Sequence, residues 1–446
     1  TPNTPGKSSP GSEGRIGVGT DNLLLGDISL YKRGEGPHFS VGFSHEGSDG
    51  YGEESSGSGY FHRKEELTGS FGADGERAGI GLQGGFTEQE KGLQDYADAS
   101  SVIHRFSHAS VDGSLTLRPS FYLETETEGH YSSRVSAGEV DGGDSYSDTL
   151  YDAYFAPEAW LRYESGWGEL SAGGNYRYYR DAEEETFHSA EGFAEIGLFL
   201  ASLDIIGRGG AMWDEEVGTL VPFRVKIEGM AGDLFHYRLE GGYETRRYTY
   251  RELWSRYPLL DTAERLLLTH GWSGAAGFGG ALTESFDWSA EASYFAAKNY
   301  PEPENLDGRD PDDGLFSIET GGARILETGA GLSFRPLSAI ELRFAWDGEM
   351  LGEVTLPEGR HRFSASLDVA NPGDKYGGEL SAGYSIDPTS DLPVLGAGGY
   401  YRLSEGVLLR VEWTDMLGPL TDDGRSIWGE YVEPGMQLRI MTEISL

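Results

Sequence analysis

Between Arg246 and Leu260 the chain sets Tyr248, Tyr250, Leu253, Trp254, Tyr257, Leu259 and Leu260 among Arg246, Arg247, Arg251 and Arg256. Aromatic and arginine side chains are enriched at binding hot spots. Arg247, Tyr250, Trp254, Arg256 and Tyr257 are therefore candidates for capturing a ligand or docking a partner; the plainer alternative is that they pack a strand end and its loop. Between Tyr300 and Gly314 the sequence carries Glu302, Glu304, Asp307, Asp310, Asp312 and Asp313. Carboxylates at this density could hold Ca2+ through oxygen, although an acidic loop is more often simply solvated. No other cofactor is indicated.

Three further patterns lead nowhere. His104 and His108 would share a helix face, but on a strand they lie roughly 13 Å apart at about 3.3 Å per residue, too far for one metal. Gly79, Gly81 and Gly84 match a dinucleotide fingerprint, yet they sit inside an alternating strand with no helix to follow. No H-E-x-x-H, nucleophile elbow or P-loop occurs, so the chain reads as a non-enzyme. Cysteine is absent, which removes disulfides, thiol catalysis and Cys-ligated metals. A net charge of -39 argues against nucleic acid as a partner, because its binders need basic patches.

The elements that must position these residues are strands. Val407, Leu409, Val411 and Trp413 alternate with Leu408, Arg410, Glu412 and Thr414, and Leu438, Ile440 and Ile444 alternate with Gln437, Arg439, Met441, Glu443 and Ser445. The same period of two recurs at Phe235 to Glu244, Ile340 to Asp347 and Leu115 to Leu123. One face is apolar and the other carries both signs of charge. Arg118, Arg177, Arg238, Glu240, Glu341, Arg343, Arg410, Glu412, Arg439 and Glu443 are expected on that charged face, lining a wet lumen. Mean hydropathy of -0.45 does not exclude a membrane, since alternation hides a barrel from hydropathy.

Glycine makes up 67 of the 446 residues, about twice the usual share of roughly 7 per cent. With 25 tyrosines and 9 tryptophans the chain is too aromatic to be disordered. Tyr176, Tyr178, Trp288 and Trp413 fall near strand ends, where interfacial girdles form. Short connections are expected near 34–36, 74–76, 112–114, 165–168, 202–203, 232–233, 283–285, 336–338, 371–374 and 404–406. Longer ones are expected near 47–57, 89–95, 126–148, 181–185, 213–217, 250–261, 300–314, 350–357, 387–393 and 417–433, with a brief one at 20–22. Twenty-one connections join about 22 strands. Such strict alternation of short and long predicts one all-β transmembrane antiparallel barrel over residues 15–446, with short periplasmic turns and longer extracellular loops. Residues 1–14, polar and rich in Pro, Ser and Gly, read as a flexible leader left by a removed signal peptide.

The chain resembles the barrel domain of the TonB-dependent outer-membrane receptors. Ser48, Asp49, Gly50 and Tyr51 are similar to that family's Asp-Gly-Tyr after an early strand. Thr414, Asp415, Met416, Leu417 and Gly418 stand where the family has an Asn-Leu-rich segment, and Tyr431, Glu433, Pro434 and Gly435 resemble its entry to the last strand. Met436 stands in place of the family's usual Arg, and Leu446 in place of its terminal aromatic. The resemblance implies an integral outer-membrane transport protein in contact with the lipid bilayer. Only about 14 residues precede the first strand, where the family has a plug domain. The expectation is therefore a plugless chain whose lumen is filled by a separate plug or envelope protein. The alternatives are a large passive porin and an adhesive scaffold presenting its extracellular loops.

Overall fold

The structure is a computed structural model and describes residues 10–34, 36–51, 59–97, 99–140, 144–182, 185–232, 234–260, 265–303, 315–351, 361–386, 392–420, 425–428 and 431–446. Each strand of the main sheet hydrogen-bonds antiparallel to the strands beside it, while Arg425–Trp428 and Tyr431–Glu433 pair with each other apart from it. The first, Pro10–Gly19, pairs with Leu24–Lys32 on one side and with the last, Gln437–Ser445, on the other. Ile16 stands opposite Thr442, and Arg15 opposite Glu443. That pairing closes the sheet on itself, so no backbone edge is left to satisfy in lipid.

Twenty-three segments share this sheet. Two of them, Gly218–Leu220 and Phe223–Ala231, both pair with Leu203–Asp214 and form one strand interrupted at Val221 and Pro222, where Pro222 has no N–H to donate. The barrel therefore has 22 strands. Close strand approach depends on glycine in places: a Cβ on Gly271 would lie 2.0 Å from the Ala296 carbonyl oxygen.

The alternation predicted from sequence sorts the two faces. Ile16, Val18, Ile28, Leu30, Leu67, Leu161, Leu332, Leu380, Val411 and Ile440 are exposed on the outside. An apolar belt of this extent would drive association in water, whereas acyl chains solvate it. Tyr176, Trp213, Trp272 and Trp413 stand on the same outer surface towards strand ends, as girdle residues do.

Connections at one end are two to five residues long. Nine fall where glycine, aspartate and serine mark them, but the turn expected at 112–114 is displaced. Strand Ala99–Arg118 runs straight through that stretch, and the chain reverses at Pro119 and Ser120. Proline cannot extend the ladder, and Ser120 takes the reversal with φ 68°. The long loop expected at 126–148 is also mostly strand: Phe121–Val140 and Asp144–Ser165 pair along their full length. These two and Ala99–Arg118 have 20, 22 and 20 residues, about twice what crosses a bilayer. The first strand starts at Pro10, inside the stretch read as a leader.

Candidate functional site

The wall facing the lumen is a lattice of ion pairs. Arg177 reaches Glu191 at 3.2 Å, Arg238 reaches Glu240 at 2.6 Å, and Glu240 also meets Arg224 at 3.6 Å. Arg343 bridges Glu341 at 3.1 Å and Asp368 at 3.3 Å, while Arg410 joins Glu443 at 3.1 Å and Glu412 at 3.6 Å. Arg439 contacts Gln437 at 2.8 Å and Glu46 at 3.6 Å. Most partners lie on the same strand two residues apart or on neighbouring strands, as a period of two favours, whereas Arg439 reaches Glu46 past the first two strands.

Arg118 does not join this lattice. A register shift between Thr116 and Arg118 displaces it, and its guanidinium lies 4.0 Å over the Phe121 ring. Phe121 in turn packs on Tyr163, two residues from the outward Leu161. The arginine therefore sits at the turn on the outer side, where stacking serves it better than a lumen carboxylate could.

At the other end the loops fold over the barrel mouth and build a hydrophobic core. Leu93, Val102, Phe106, Tyr250, Leu253, Trp254, Tyr257, Leu259, Leu260, Phe316 and Tyr431 are all buried together. At its centre is the segment after strand Phe235–Arg246, which contains helix α1, Tyr250–Arg256. Thr249 caps α1: its hydroxyl accepts from Glu252 N while the Glu252 carboxylate accepts from Thr249 N. That reciprocal arrangement is written in the sequence as T-x-x-E.

The segment is held on the wall through its own backbone. Tyr250 N donates to Asp152 Oδ2 at 3.0 Å, and Ser132 Oγ donates to the other oxygen of the same carboxylate. His104 Nε2 donates to the Pro258 carbonyl at 2.7 Å, and Arg134 Nη1 donates to the Leu260 carbonyl at 3.3 Å. Leu259 accepts from Phe316 N at 2.9 Å. Arg247 Nη2 donates to Asp214 Oδ2 at 2.8 Å, and its Nη1 to Glu216 Oε2 at 3.0 Å. Both members of the Arg247–Asp214 pair are buried, and burial pushes the Glu216 carboxyl above its ordinary range despite Arg247 and Arg265 beside it. Gln94 ties two further loops together, donating to Tyr51 Oη at 3.0 Å and to the Val432 carbonyl at 2.8 Å.

The structure thus brings together Arg247, Tyr250, Trp254, Arg256 and Tyr257, but it turns Tyr250, Trp254 and Tyr257 inward. Their aromatic surface is spent on the lid itself. Arg256 faces the wall and clasps both oxygens of Glu349, at 2.9 and 2.7 Å. Asp152, Arg134, His104, Asp214 and Gln94 were not singled out as lid ligands by sequence, since each lies far along the chain from what it holds. The acidic loop considered for Ca2+ lies outside the described residues from 304 to 314. Gly79, Gly81 and Gly84 lie within strand Ala78–Gly92.

No family model and no curated protein matches the sequence. Solved structures do match. A ferric enterobactin receptor mutant from Pseudomonas aeruginosa aligns with a TM-score of 0.72 at 10% identity, over 99% of this chain and 81% of that one. The copper transporter OprC aligns with a TM-score of 0.73 at 11% identity, over 100% of this chain and 82% of the other. The FrpB iron transporter from Neisseria meningitidis gives 0.73 at 10% identity, over 99% and 81%. The fold is that of the TonB-dependent receptor barrels. The early Tyr51 and late Tyr431 that resemble the receptor-barrel motifs are both buried, and Gln94 bonds Tyr51 and the backbone of Val432, the residue after Tyr431.

Proposed function

We propose that the chain is the barrel of an outer-membrane uptake transporter, with its loop end outside and its turn end towards the periplasm, and that a polypeptide other than the described residues occupies the lumen. The observation that carries this reading is the core of described loop residues packed at the mouth of a charge-lined barrel. A passive pore needs a standing aqueous path, and a lid centred on the fully buried Trp254 and Leu260 provides none there. The fold is shared with proteins named as iron, ferric enterobactin and copper receptors or transporters, which makes metal ions and their chelates the first cargo to test. The wall lattice of Arg177, Arg238, Arg343, Arg410 and Arg439 with its carboxylates would hold the occupant.

The test is purification from native outer membrane in mild detergent, followed by mass spectrometry of everything bound at a fixed ratio. A stoichiometric polypeptide in the lumen is expected. A chain that purifies alone and gives steady ion conductance in planar bilayers would overturn the reading in favour of a porin.

A further inference from the structure

The lumen wall is not balanced in charge. Arg162, Arg177, Arg208, Arg224, Lys226, Arg238, Arg343 and Arg410 each have a carboxylate within 4.0 Å. The converse fails. Asp112, Glu126, Glu128, Glu195, Glu244 and Glu327 face the same lumen, and among the described residues none has a basic side chain within that distance. Glu244 and Glu327 receive only hydroxyl donors, Ser273 Oγ at 2.5 Å and Ser293 Oγ at 2.8 Å. Asp112 and Glu158 stand directly opposite Glu126 on its two neighbouring strands, an arrangement of like charges that costs stability unless something cationic comes between them.

Access is one-sided. Described loop residues pack into a core at the loop end, whereas the connections at the turn end, two to five residues long, are too short to reach across a barrel of this strand number. Glu244 and Glu327 also line a cavity of about 310 Å³ on the lumen side of α1, together with Glu252, Arg256, Tyr257 and Tyr300. Carboxylates outnumber cations around this cavity, Glu240, Glu244, Glu252 and Glu327 against Arg246 and Arg256.

Building on the proposed lumen occupancy, we infer that the occupant is a basic polypeptide segment, rich in lysine or arginine, inserted from the turn end against these unpaired carboxylates. Its cations would complete the lattice that the wall leaves open. Opposite charges facing each other across the contact fix register and speed the encounter.

The chain, produced without other envelope components and placed in nanodiscs, is titrated with fluorescent oligolysine and read by anisotropy. Binding is expected, steeply weakened by salt. Replacing Glu126, Glu128, Glu195, Glu244 and Glu327 together by Gln is expected to weaken it by at least about tenfold, because five unpaired charges leave the contact. Replacing Glu65, Glu88 and Glu90, which point outward, by Gln is expected to change it little. Equal weakening by both sets, or no binding at all, overturns the inference. Retained SDS-resistant migration and circular dichroism show that each variant is folded. Two outcomes separate this inference from the reading it builds on. If oligolysine binds the lumen but native preparations contain no second polypeptide, the occupancy reading falls and the electrostatics stand. If a polypeptide co-purifies but is acidic, or stays bound to the Gln variant, the inference falls alone.

Discussion

The wall and the lid of this molecule solve opposite problems with the same residue types. In the wall, Leu380, Val411 and Ile440 point away from the protein and Arg410, Glu412 and Glu443 point into it. In the lid, Leu253, Trp254 and Leu260 turn inward. The difference follows from what lies on each side. Lipid solvates the outer face of the wall, so the wall needs no core of its own and is held by a closed hydrogen-bond ladder. The lid has water above it and a wet lumen below, so it is stabilised by burial of its own apolar side chains and by hydrogen bonds to the wall. Two sources of stability in one chain should be separable by mutation.

The largest effect is expected at Trp254. Trp254→Ala removes a fully buried side chain and should cost the loop assembly about 3–5 kcal/mol. Limited proteolysis should then cut within the loops, while the barrel keeps its SDS-resistant migration. Loss of both together would mean that lid and wall share one cooperative unit.

Ion pairs extend the contrast. Arg247→Ala leaves Asp214 buried without its guanidinium, at a cost of about 3–5 kcal/mol. The double variant Arg247→Met with Asp214→Asn should recover much of that loss, as measured by loop protease resistance. In the wall, Val411→Arg places a charge in the apolar belt and should cost about 2–4 kcal/mol in guanidinium unfolding from lipid vesicles. One residue away, Arg410→Ala breaks a half-exposed pair on the wet side and should change the same unfolding curve by about 0–1 kcal/mol. Comparable losses at 410 and 411 would contradict the assignment of the two faces.

Much of the wall was legible in the sequence because lipid on one side and water on the other impose a period of two, and because tight reversals need glycine, aspartate or asparagine. The signal fades where that contrast fades. Along Phe121–Val140 the outward positions Thr125, Thr127 and Gly129 are too weakly apolar to mark a face, and beyond Tyr131 the strand stands clear of the belt. The stretch therefore read as a loop. Arg118 was placed in the lumen because a one-residue shift in register cannot be seen from alternation. The lid was visible as a cluster of aromatics and arginines but not as a lid. Whether such a cluster faces outward or inward depends on Asp152, His104 and Arg134, which are close to it only in space. The Thr249 to Glu252 capping box was the one local sign that a helix starts there.

The smallest effect is expected at the turn end, in a connection whose residues 372–375 are exposed. Asp374 lies in the connection after His361–Ala370 and accepts from Tyr400 Oη at 2.6 Å and Arg402 Nη2 at 2.8 Å. These bonds favour the ionised form and hold its carboxyl below its ordinary value of 3.8. A carboxyl depressed in the folded state contributes stability that is present above the unfolded value and lost as pH falls through the folded one. The turn should therefore loosen only below pH 3.8, seen as faster amide exchange at Asn371 to Tyr376 with the neighbouring strands unchanged. Asp374→Asn should remove that pH dependence and leave the lid untouched, because the two ends of the barrel communicate only through a wall whose ladder does not titrate.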